Sequence, residues 1–255
     1  VVASWRFSPL PVLAWDGAAW QPLTGAPAPV FRVLDSVEFE GELVIAGDLF
    51  LGGSRVGVAA WNGQSWRPLG TNAVALGVGG GAVSLAVYNG ELVVRGALFI
   101  GGEVGVAVLR DNAWQPLGTP GIPTSPINGS VNALTVFNGD LIAGGFFFRA
   151  ASAQGPQLQS IARWNGGAWA PMDEGAFVSA FSSVQADLGV RDFEVFNGRL
   201  YAFGAIGPTQ GAPNNSPYGA MVWDGQRWQT LNGGPLQIFT RPLNAGAALG
   251  DTLAI

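Results

Sequence analysis

The stretch ARWNGGAWAPM, from Ala162 to Met172, places two tryptophans five residues apart around an Asn-Gly pair. Four other stretches repeat this pattern, and we call all five the Trp phrases: AWDGAAWQPL (14–23), AWNGQSWRPLG (60–70), VLRDNAWQPLG (108–118) and VWDGQRWQTL (222–231). Equivalent positions in successive phrases are 46, 48, 55 and 59 residues apart. Self-similarity at a period near 50 residues is typical of the blades of a β-propeller.

A second repeated pattern lies between the Trp phrases. It alternates apolar residues around Asn-Gly or Glu-Gly, and it occurs as VEFEGELVIAG (37–47), AVYNGELVVRG (86–96), TVFNGDLIAGG (135–145), EVFNGRLYAFG (194–204) and, more faintly, AALGDTLAI (247–255). Such a pattern predicts two strands, a and b, joined by a two-residue turn in which Gly supplies a positive φ. The Trp phrase then predicts strands c and d, with Pro in the outermost strand where no ladder hydrogen bond is lost.

Each repeat therefore predicts a four-stranded antiparallel sheet, and the whole chain predicts an all-β, five-bladed β-propeller in a single 1–255 domain. Four blades are complete in the sequence and the fifth is expected to be assembled from both termini, which closes the ring without a free sheet edge. The predicted ranges are 1–23 with 243–255 for blade 1, 33–69 for blade 2, 83–117 for blade 3, 131–172 for blade 4 and 190–231 for blade 5.

The tryptophans have a structural interpretation in this scheme. Nine of the ten, all but Trp5, occupy the repeated c and d positions, as packing between blades would require. A buried Trp removes roughly 200 Å² from water. The alternative interpretation of these indoles is a stacking platform for sugars.

The composition excludes several chemistries. The chain has no Cys and no His, and all 12 of its basic residues are Arg. Disulfides, thiol nucleophiles, thiolate or imidazole metal sites and Schiff-base lysines are therefore ruled out, and we expect neither a cofactor nor a metal. A formal net charge of −5 makes a nucleic-acid partner an unfavourable hypothesis, because that affinity depends largely on cations. No apolar run approaches the length of about 20 residues that membrane insertion needs.

The segment LIAGGFFF…ARWNGGAW, from Leu141 to Trp169, resembles a kelch-type blade, in which an apolar strand ends in Gly-Gly and a variable loop leads to an aromatic residue, Asn-Gly and a second Trp. Kelch proteins, the central domain of galactose oxidase and repeat proteins secreted by bacteria contain such blades. The double Gly is present at Gly144-Gly145 and is replaced by Gly47-Asp48, Gly96-Ala97 and Gly204-Ala205 elsewhere. The resemblance implies a propeller. It does not extend to the copper site of galactose oxidase, which needs His and Cys.

The variation in repeat length falls in the b–c and d–a connections, which we call the top loops. Variable loops on a rigid scaffold are where binding sites usually lie. The residues predicted to bind a ligand lie there: Trp5, Arg6, Arg55, Glu103, Arg149, Asp173, Glu174, Asn214 and Arg241. For Arg55 and Glu103 the alternative is a surface ion pair of little energetic value.

Two carboxylate pairs raise an enzymatic alternative. Asp173-Glu174 and Asp192 with Glu194 break the repeat, and a pair of carboxylates is what glycoside hydrolysis requires. We expect no catalytic residues, and a glycoside hydrolase is the third hypothesis.

The leading functional hypothesis is a non-enzymatic propeller, extracellular or on the cell surface, that serves as a structural or protein-interaction module in a larger assembly. Its apolar top loops, Phe146–Phe148 and Phe177–Phe181, predict a protein partner or self-association, because exposed apolar clusters are costly in water. The second hypothesis is a carbohydrate-binding lectin that uses the top loops.

Overall fold

A computed structural model describes residues 2–3, 12–23, 30–70, 84–99, 103–118, 129–147, 158, 160–172, 189–206, 219–230, 246–249 and 252–254 of the chain. The chain forms two compact units, Val1–Leu117 and Gly118–Ile255. In the described residues every regular element is a β-strand. None of the described segments is a helix with the length and apolar character needed to span a membrane.

The first unit contains three antiparallel sheets, whose strands follow one another in chain order. The three-stranded sheet consists of β1 (Val2–Ala3), β2 (Leu13–Trp15) and β3 (Trp20–Pro22). Blade 2 consists of β4 (Val30–Phe39), β5 (Glu42–Leu51), β6 (Ser54–Trp61) and β7 (Trp66–Pro68). Blade 3 consists of β8 (Ser84–Tyr88), β9 (Glu91–Phe99), β10 (Glu103–Arg110) and β11 (Ala113–Pro116).

The second unit also contains three antiparallel sheets with the same sequential order. Blade 4 consists of β12 (Gly129–Phe137), β13 (Asp140–Phe147), β14 (Ile161–Trp164) and β15 (Trp169–Pro171). Blade 5 consists of β16 (Gly189–Phe196), β17 (Arg199–Ala205), β18 (Gly219–Trp223) and β19 (Trp228–Thr230). The two-stranded sheet consists of β20 (Ala247–Leu249) and β21 (Thr252–Ala254).

The predicted fold class is confirmed: the chain is all-β and built of the four-stranded antiparallel sheets that a five-bladed propeller requires. The predicted blade 1 corresponds in sequence to the three-stranded sheet of the first unit and to the two-stranded sheet of the second. Its completion from both termini, and the single 1–255 domain, remain predictions.

The a–b hairpins have the turns that the sequence predicts. Both turn residues have positive φ, with Glu40 at 54° and Gly41 at 77° in blade 2, and Asn138 at 51° and Gly139 at 83° in blade 4. This geometry belongs to the two-residue turn whose twist matches that of the flanking strands. Asn tolerates the left-handed region and Gly has no Cβ to oppose it, so the Asn-Gly repeat fixes the register of each a–b pair.

The sequence places Arg55 in a top loop, and this prediction is wrong. The stretch Phe50–Gly57 is a hairpin rather than a loop, because β5 continues to Leu51 and β6 starts at Ser54. The connecting residues Gly52 and Gly53 have φ of 58° and 82°, so the Gly-Gly pair closes another two-residue turn. Between Phe99 and Glu103 the equivalent connection lies outside the described residues.

The predicted apolar top loop at Phe146–Phe148 is also corrected. Phe146 and Phe147 belong to β13, and Phe147 is 0% exposed. The strand alternation directs this ring into the interior, where it stabilises the unit instead of offering a surface to a partner. Phe148 and the second predicted apolar loop, Phe177–Phe181, lie outside the described residues.

The c–d connections of four Trp phrases share one turn. The side-chain Oδ1 of Asp16 accepts backbone hydrogen bonds from Ala18 and Ala19, both at 2.8 Å. Asn62 binds the N–H groups of Gln64 and Ser65 in the same way, at 2.9 and 2.8 Å. Asn165 and Asp224 repeat the arrangement. Asp or Asn at this position therefore replaces a backbone acceptor and closes the turn.

Acid titration is expected to lower the melting temperature between about pH 5 and pH 2. Backbone N–H donors, from Ala19 first and Ala18 second, lower the pKa of Asp16, and Arg227 and Gln226 do the same for Asp224. A depressed carboxyl pKa contributes stability above its unfolded value, and this contribution is lost as the pH falls through the folded value. In the double variant Asp16→Asn/Asp224→Asn the dependence of the melting temperature on pH should be flatter, since Asn keeps the acceptor without titrating. An unchanged slope would contradict this assignment.

Neighbouring sheets within each unit pack through their first strands. β4 contacts β8 in the first unit, and β16 contacts both β12 and β20 in the second. Small residues face large ones at these contacts. A Cβ added to Gly144 of β13 would lie 2.5 Å from Cζ of Phe193 in β16, so the glycine makes room for the ring. Contacts between the first strands of successive sheets are what blades around an axis require.

The structural role predicted for the tryptophans is confirmed for most of them. Trp66, Trp114, Trp164, Trp169 and Trp228 are all at most 9% exposed. Within a sheet the c and d indoles pair across the turn, with ring centroids 5.3 to 5.5 Å apart and planes tilted by 43° to 55° in blades 2, 4 and 5. Trp20 departs from the prediction, because it is 43% exposed.

Candidate functional site

The predicted ligand-binding residues fall mostly outside the described part of the chain. Trp5, Arg6, Arg149, Asp173, Glu174, Asn214 and Arg241 all lie there. Arg55 and Glu103 are placed at equivalent points: Arg55 pairs with Phe50 near the start of β6, and Glu103 pairs with Phe99 at the start of β10. Both belong to strands rather than to loops.

The polar residues that the structure does bring into register lie on the first strands. Asp35, Ser84, Ala133 and Asp192 each precede the a–b turn by five residues, and each pairs with the equivalent residue of the second strand. We call these four residues the inner row. The repeat therefore places a carboxylate at this position in blades 2 and 5 only.

The inner-row carboxylates bind the next sheet. Oδ2 of Asp35 accepts a hydrogen bond from the backbone N–H of Leu85 in β8, at 2.7 Å. Oδ2 of Asp192 accepts one from the backbone N–H of Gly246, next to β20, at 3.0 Å. Leu85 and Gly246 are equivalent positions of their repeats. The same residue type thus ties two first strands together in each unit, and a hydrogen bond to a charged acceptor is stronger than one to a neutral acceptor.

Blade 4 uses a different residue for the same purpose. Its inner-row residue is Ala133, and the bulged residue before it, Asn132, donates a hydrogen bond from Nδ2 to the carbonyl of Val190 in β16, at 3.1 Å. The bulge between Val131 and Ala133 turns Asn132 toward the neighbouring sheet.

A buried arginine lies beside the inner row of the first unit. Arg95 of β9 pairs with Ser84 and is 2% exposed. Burial lowers the pKa of Arg95 to about 9, and the negative charge of Asp35 opposes this shift. The charge of Asp35 therefore compensates for taking a guanidinium out of water. The equivalent second-strand residues are Ala46, Gly144 and Phe203, so the sequence repeat gives no indication of a charge here.

Asp35→Asn is expected to destabilise the first unit by about 1–3 kcal/mol. Asn keeps an acceptor for the N–H of Leu85 and removes the charge that faces Arg95. Asp192→Asn is the matched control, because it also keeps its acceptor and Phe203 stands where blade 3 has Arg95. Urea unfolding followed by circular dichroism measures both variants. Equal losses would show that the charge of Asp35 has no special role beside Arg95.

Of the two carboxylate pairs proposed for glycoside chemistry, Asp173-Glu174 lies outside the described residues, and Asp192 and Glu194 lie on one strand. Asp192 and Glu194 pair with Phe203 and Tyr201 across β16 and β17, and both are partly buried. One oxygen of Asp192 is engaged by Gly246, which makes this residue part of the packing between sheets. No group of three or more Asp or Glu side chains in the described residues is arranged to hold a metal ion.

Two exposed valines mark the turn end of the first strands in the second unit. Val136 of β12 is 37% exposed and Val195 of β16 is 41% exposed. Each lies two residues before the Asn of its a–b turn, on strands that pack together. The equivalent position in blade 2 is Glu38, so the apolar character is not required by the fold. The sequence did not predict a role for these two valines. The a–b turns next to them are nearly identical in all blades, so the sequence analysis looked for binding residues in the variable top loops.

Comparisons with known proteins complete the description. No model of a known protein family matches the chain. No curated protein is significantly similar to it in sequence. Among solved structures, the chain is similar to the extracellular domain of a one-component system from B. thetaiotaomicron, with 10% identity and a TM-score of 0.46 over 95% of this chain and 34% of that one. It is similar to YCF48, solved bound to a D1 peptide, with 17% identity and a TM-score of 0.41 over 86% of this chain and 74% of that one.

The chain thus spans about a third of the length of the first of these two proteins. Neither similarity bears on the activity or the partners of this chain.

Proposed function

We propose that the chain is a non-enzymatic, kelch-like propeller module, extracellular or on the cell surface, with a structural or protein-interaction role. The main support for this proposal is the role of the inner-row carboxylates in the packing between sheets. Asp35 and Asp192 are engaged by backbone N–H groups of the next sheet, so both serve rigidity. With no Cys, His or Lys in the chain, few groups remain that could act as a nucleophile or a base.

The valine pair supports a protein partner. Val136 and Val195 are apolar, exposed and held on two packed strands, whereas most large apolar side chains of the described residues are buried. Each valine is already more than half covered, so burying the part that remains exposed contributes roughly 1 kcal/mol. Exposed apolar side chains on packed strands, close to polar turn residues, suit contact with another protein. The simplest such partner is a second copy of the chain.

Light scattering after size-exclusion chromatography tests this function. We expect the mass of the intact protein to rise with concentration, and the double variant Val136→Asp/Val195→Asp to remain monomeric at concentrations where the parent associates. Gln115→Asp is the control, because it adds a charge at an exposed strand position of the other unit. A monomer at every concentration, or association that the double variant leaves unchanged, would overturn the proposed self-association.

A lectin is the second candidate, and the exposure of Trp20 favours it. Its indole is 43% exposed, and Gln21, the next residue, donates a hydrogen bond from Nε2 to Asp16 at 3.3 Å. An exposed aromatic face beside polar groups suits a sugar ring, which has apolar and hydroxyl faces. A glycan array on the parent and on Trp20→Ala decides this candidate. Binding to one sugar class that the variant loses would support the lectin hypothesis. If the parent protein bound none of the glycans, this hypothesis would be wrong.

The cellular location has its own test. Fractionation of cells that produce the tagged full-length protein should find it outside the cytoplasm, and recovery only in the cytoplasm would contradict an extracellular module.

A further inference from the structure

Five Asn-Gly pairs lie in turns of the described residues, and they fall into two classes. Asn89, Asn138 and Asn197 open the two-residue a–b turns, with φ between 48° and 51°. Asn62 and Asn165 open the c–d turns, where two backbone N–H groups point at the side-chain oxygen. The two classes share the same local dipeptide and differ in what surrounds the amide.

We propose that Asn62 and Asn165 are sites of spontaneous deamidation promoted by the fold. In this reaction the backbone nitrogen of the following Gly, after losing its proton to water, bonds to Cγ of Asn. The tetrahedral intermediate places a negative charge on Oδ1. It collapses by breaking the bond from Cγ to Nδ2, and ammonia leaves with a proton from water. Water then opens the resulting five-membered imide to Asp or isoaspartate, so the net change is water in and ammonia out.

The c–d turn stabilises the charge that develops in this reaction. Oδ1 of Asn62 accepts hydrogen bonds from Gln64 and Ser65 at 2.9 and 2.8 Å, and Oδ1 of Asn165 accepts them from Gly167 and Ala168 at 3.0 and 2.8 Å. Two fixed backbone donors on one carbonyl oxygen form the arrangement that stabilises oxyanions in acyl-transfer enzymes. The attacking nitrogen belongs to a Gly, which has no Cβ to hinder ring closure.

The turn also accommodates the product. Asp16 and Asp224 occupy the same position in two other repeats, and their Oδ1 atoms accept the same pair of hydrogen bonds at 2.8 Å. The second oxygen of Asp16 binds the side chain of Gln21, and that of Asp224 binds Gln229. Conversion of Asn62 or Asn165 to Asp therefore yields a turn that the chain already contains, with one more negative charge on a molecule whose formal net charge is −5.

The remaining Asn-Gly pairs provide the comparison. In the described residues no backbone N–H donates to the side-chain oxygen of Asn89, Asn138 or Asn197, although paired strands flank these turns as they flank the c–d turns. These amides lack the donors that lower the barrier. We expect Asn62 and Asn165 to deamidate about tenfold faster or more in the folded protein.

Peptide mapping by mass spectrometry tests the proposal on the intact, full-length protein. The protein is incubated near pH 8 and 37 °C, sampled over weeks, and each of the five sites is scored for the gain of about 1 Da and for isoaspartate. The same chain kept in concentrated urea is the control, because all five pairs then depend on local sequence alone. The expected result is a preference for Asn62 and Asn165 that is present in the folded sample and absent in urea.

Two outcomes would overturn it: equal rates at all five sites in the folded protein, or a preference that persists unchanged in urea. The variant Asn62→Asp is a further check that does not depend on the rate. It should keep the parent's melting temperature within about 3 °C, as the turns at Asp16 and Asp224 imply. A variant that unfolds would show that the product does not fit this turn, which also contradicts the proposal.

Discussion

Trp114→Ala is expected to reduce the free energy of unfolding by about 3–5 kcal/mol. The indole is 1% exposed and lies in the core that blades 2 and 3 share. Its Nε1 donates a hydrogen bond of 2.9 Å to the carbonyl of Leu69, the next-to-last residue of the Trp phrase of blade 2. The substitution leaves a cavity and also a buried carbonyl that has lost a donor, so the two costs add.

Trp20→Ala is the control for this prediction. Trp20 occupies the equivalent position in its Trp phrase and is 43% exposed, so its removal is expected to cost no more than about 1 kcal/mol. Urea unfolding monitored by far-ultraviolet circular dichroism measures both variants without depending on tryptophan emission. Similar losses for the two variants would show that burial between the sheets is not what the Trp at this position contributes.

The local architecture follows from the sequence because its determinants are local. Asn138-Gly139 adopts positive φ at both residues, and the apolar residues that follow, 141–143, are all buried. Asn62 and Asn165 close their turns with their own side chains. Each of these features depends on residues within a few positions, so a repeated phrase predicts a repeated hairpin.

The connections between sheets could not be predicted in the same way. Asp35 and Leu85 are 50 residues apart in sequence, and Asp192 and Gly246 are 54 apart, so nothing in either phrase identifies its partner. Arg95 interrupts an apolar strand, and the carboxylate that opposes the fall in its pKa belongs to another sheet. These features depend on how sheets meet, which the period of a repeat does not determine.

The candidate site also combines features that the sequence predicts with features that it does not. Arg55 and Glu103 are equivalent in the repeat, as predicted, yet a Gly-Gly pair before Arg55 extends the strands where the length of the segment indicated a loop. The valine pair was not anticipated, because Val136 and Val195 are ordinary strand residues by their pattern. Their exposure depends on what covers the end of the first strands, and no local pattern reports that.

The Gly that ends a Trp phrase packs against a tryptophan of the next phrase. Gly70 has φ of 85°, and a Cβ added there would lie 2.5 Å from Nε1 of Trp114 and closer still to Cδ1. Gly118 has φ of 101°, and a Cβ there would lie 3.1 Å from Cδ1 of Trp169. Two features therefore require Gly at the end of Trp-x-Pro-Leu-Gly: its left-handed backbone conformation and the indole that packs against it.

Gly70→Ala is expected to cost about 3–5 kcal/mol, because a left-handed backbone strains any residue with a Cβ and the methyl group also displaces a buried indole. The displaced ring would lose its hydrogen bond to Leu69 as well. Gly63→Ala separates these contributions, since Gly63 has φ of 95° with nothing within 4 Å of the added Cβ. That variant should show the backbone strain alone, about 1–2 kcal/mol.

A double variant measures the contact itself. Once Trp114→Ala has removed the indole, adding Gly70→Ala should cost only what Gly63→Ala costs, because the methyl group then enters the space that the ring has left. Urea unfolding of the two single variants and the double variant gives the coupling energy directly. If Gly70→Ala is as costly without the indole as with it, the strain lies in the backbone, and the Gly is needed only for the turn that ends each Trp phrase.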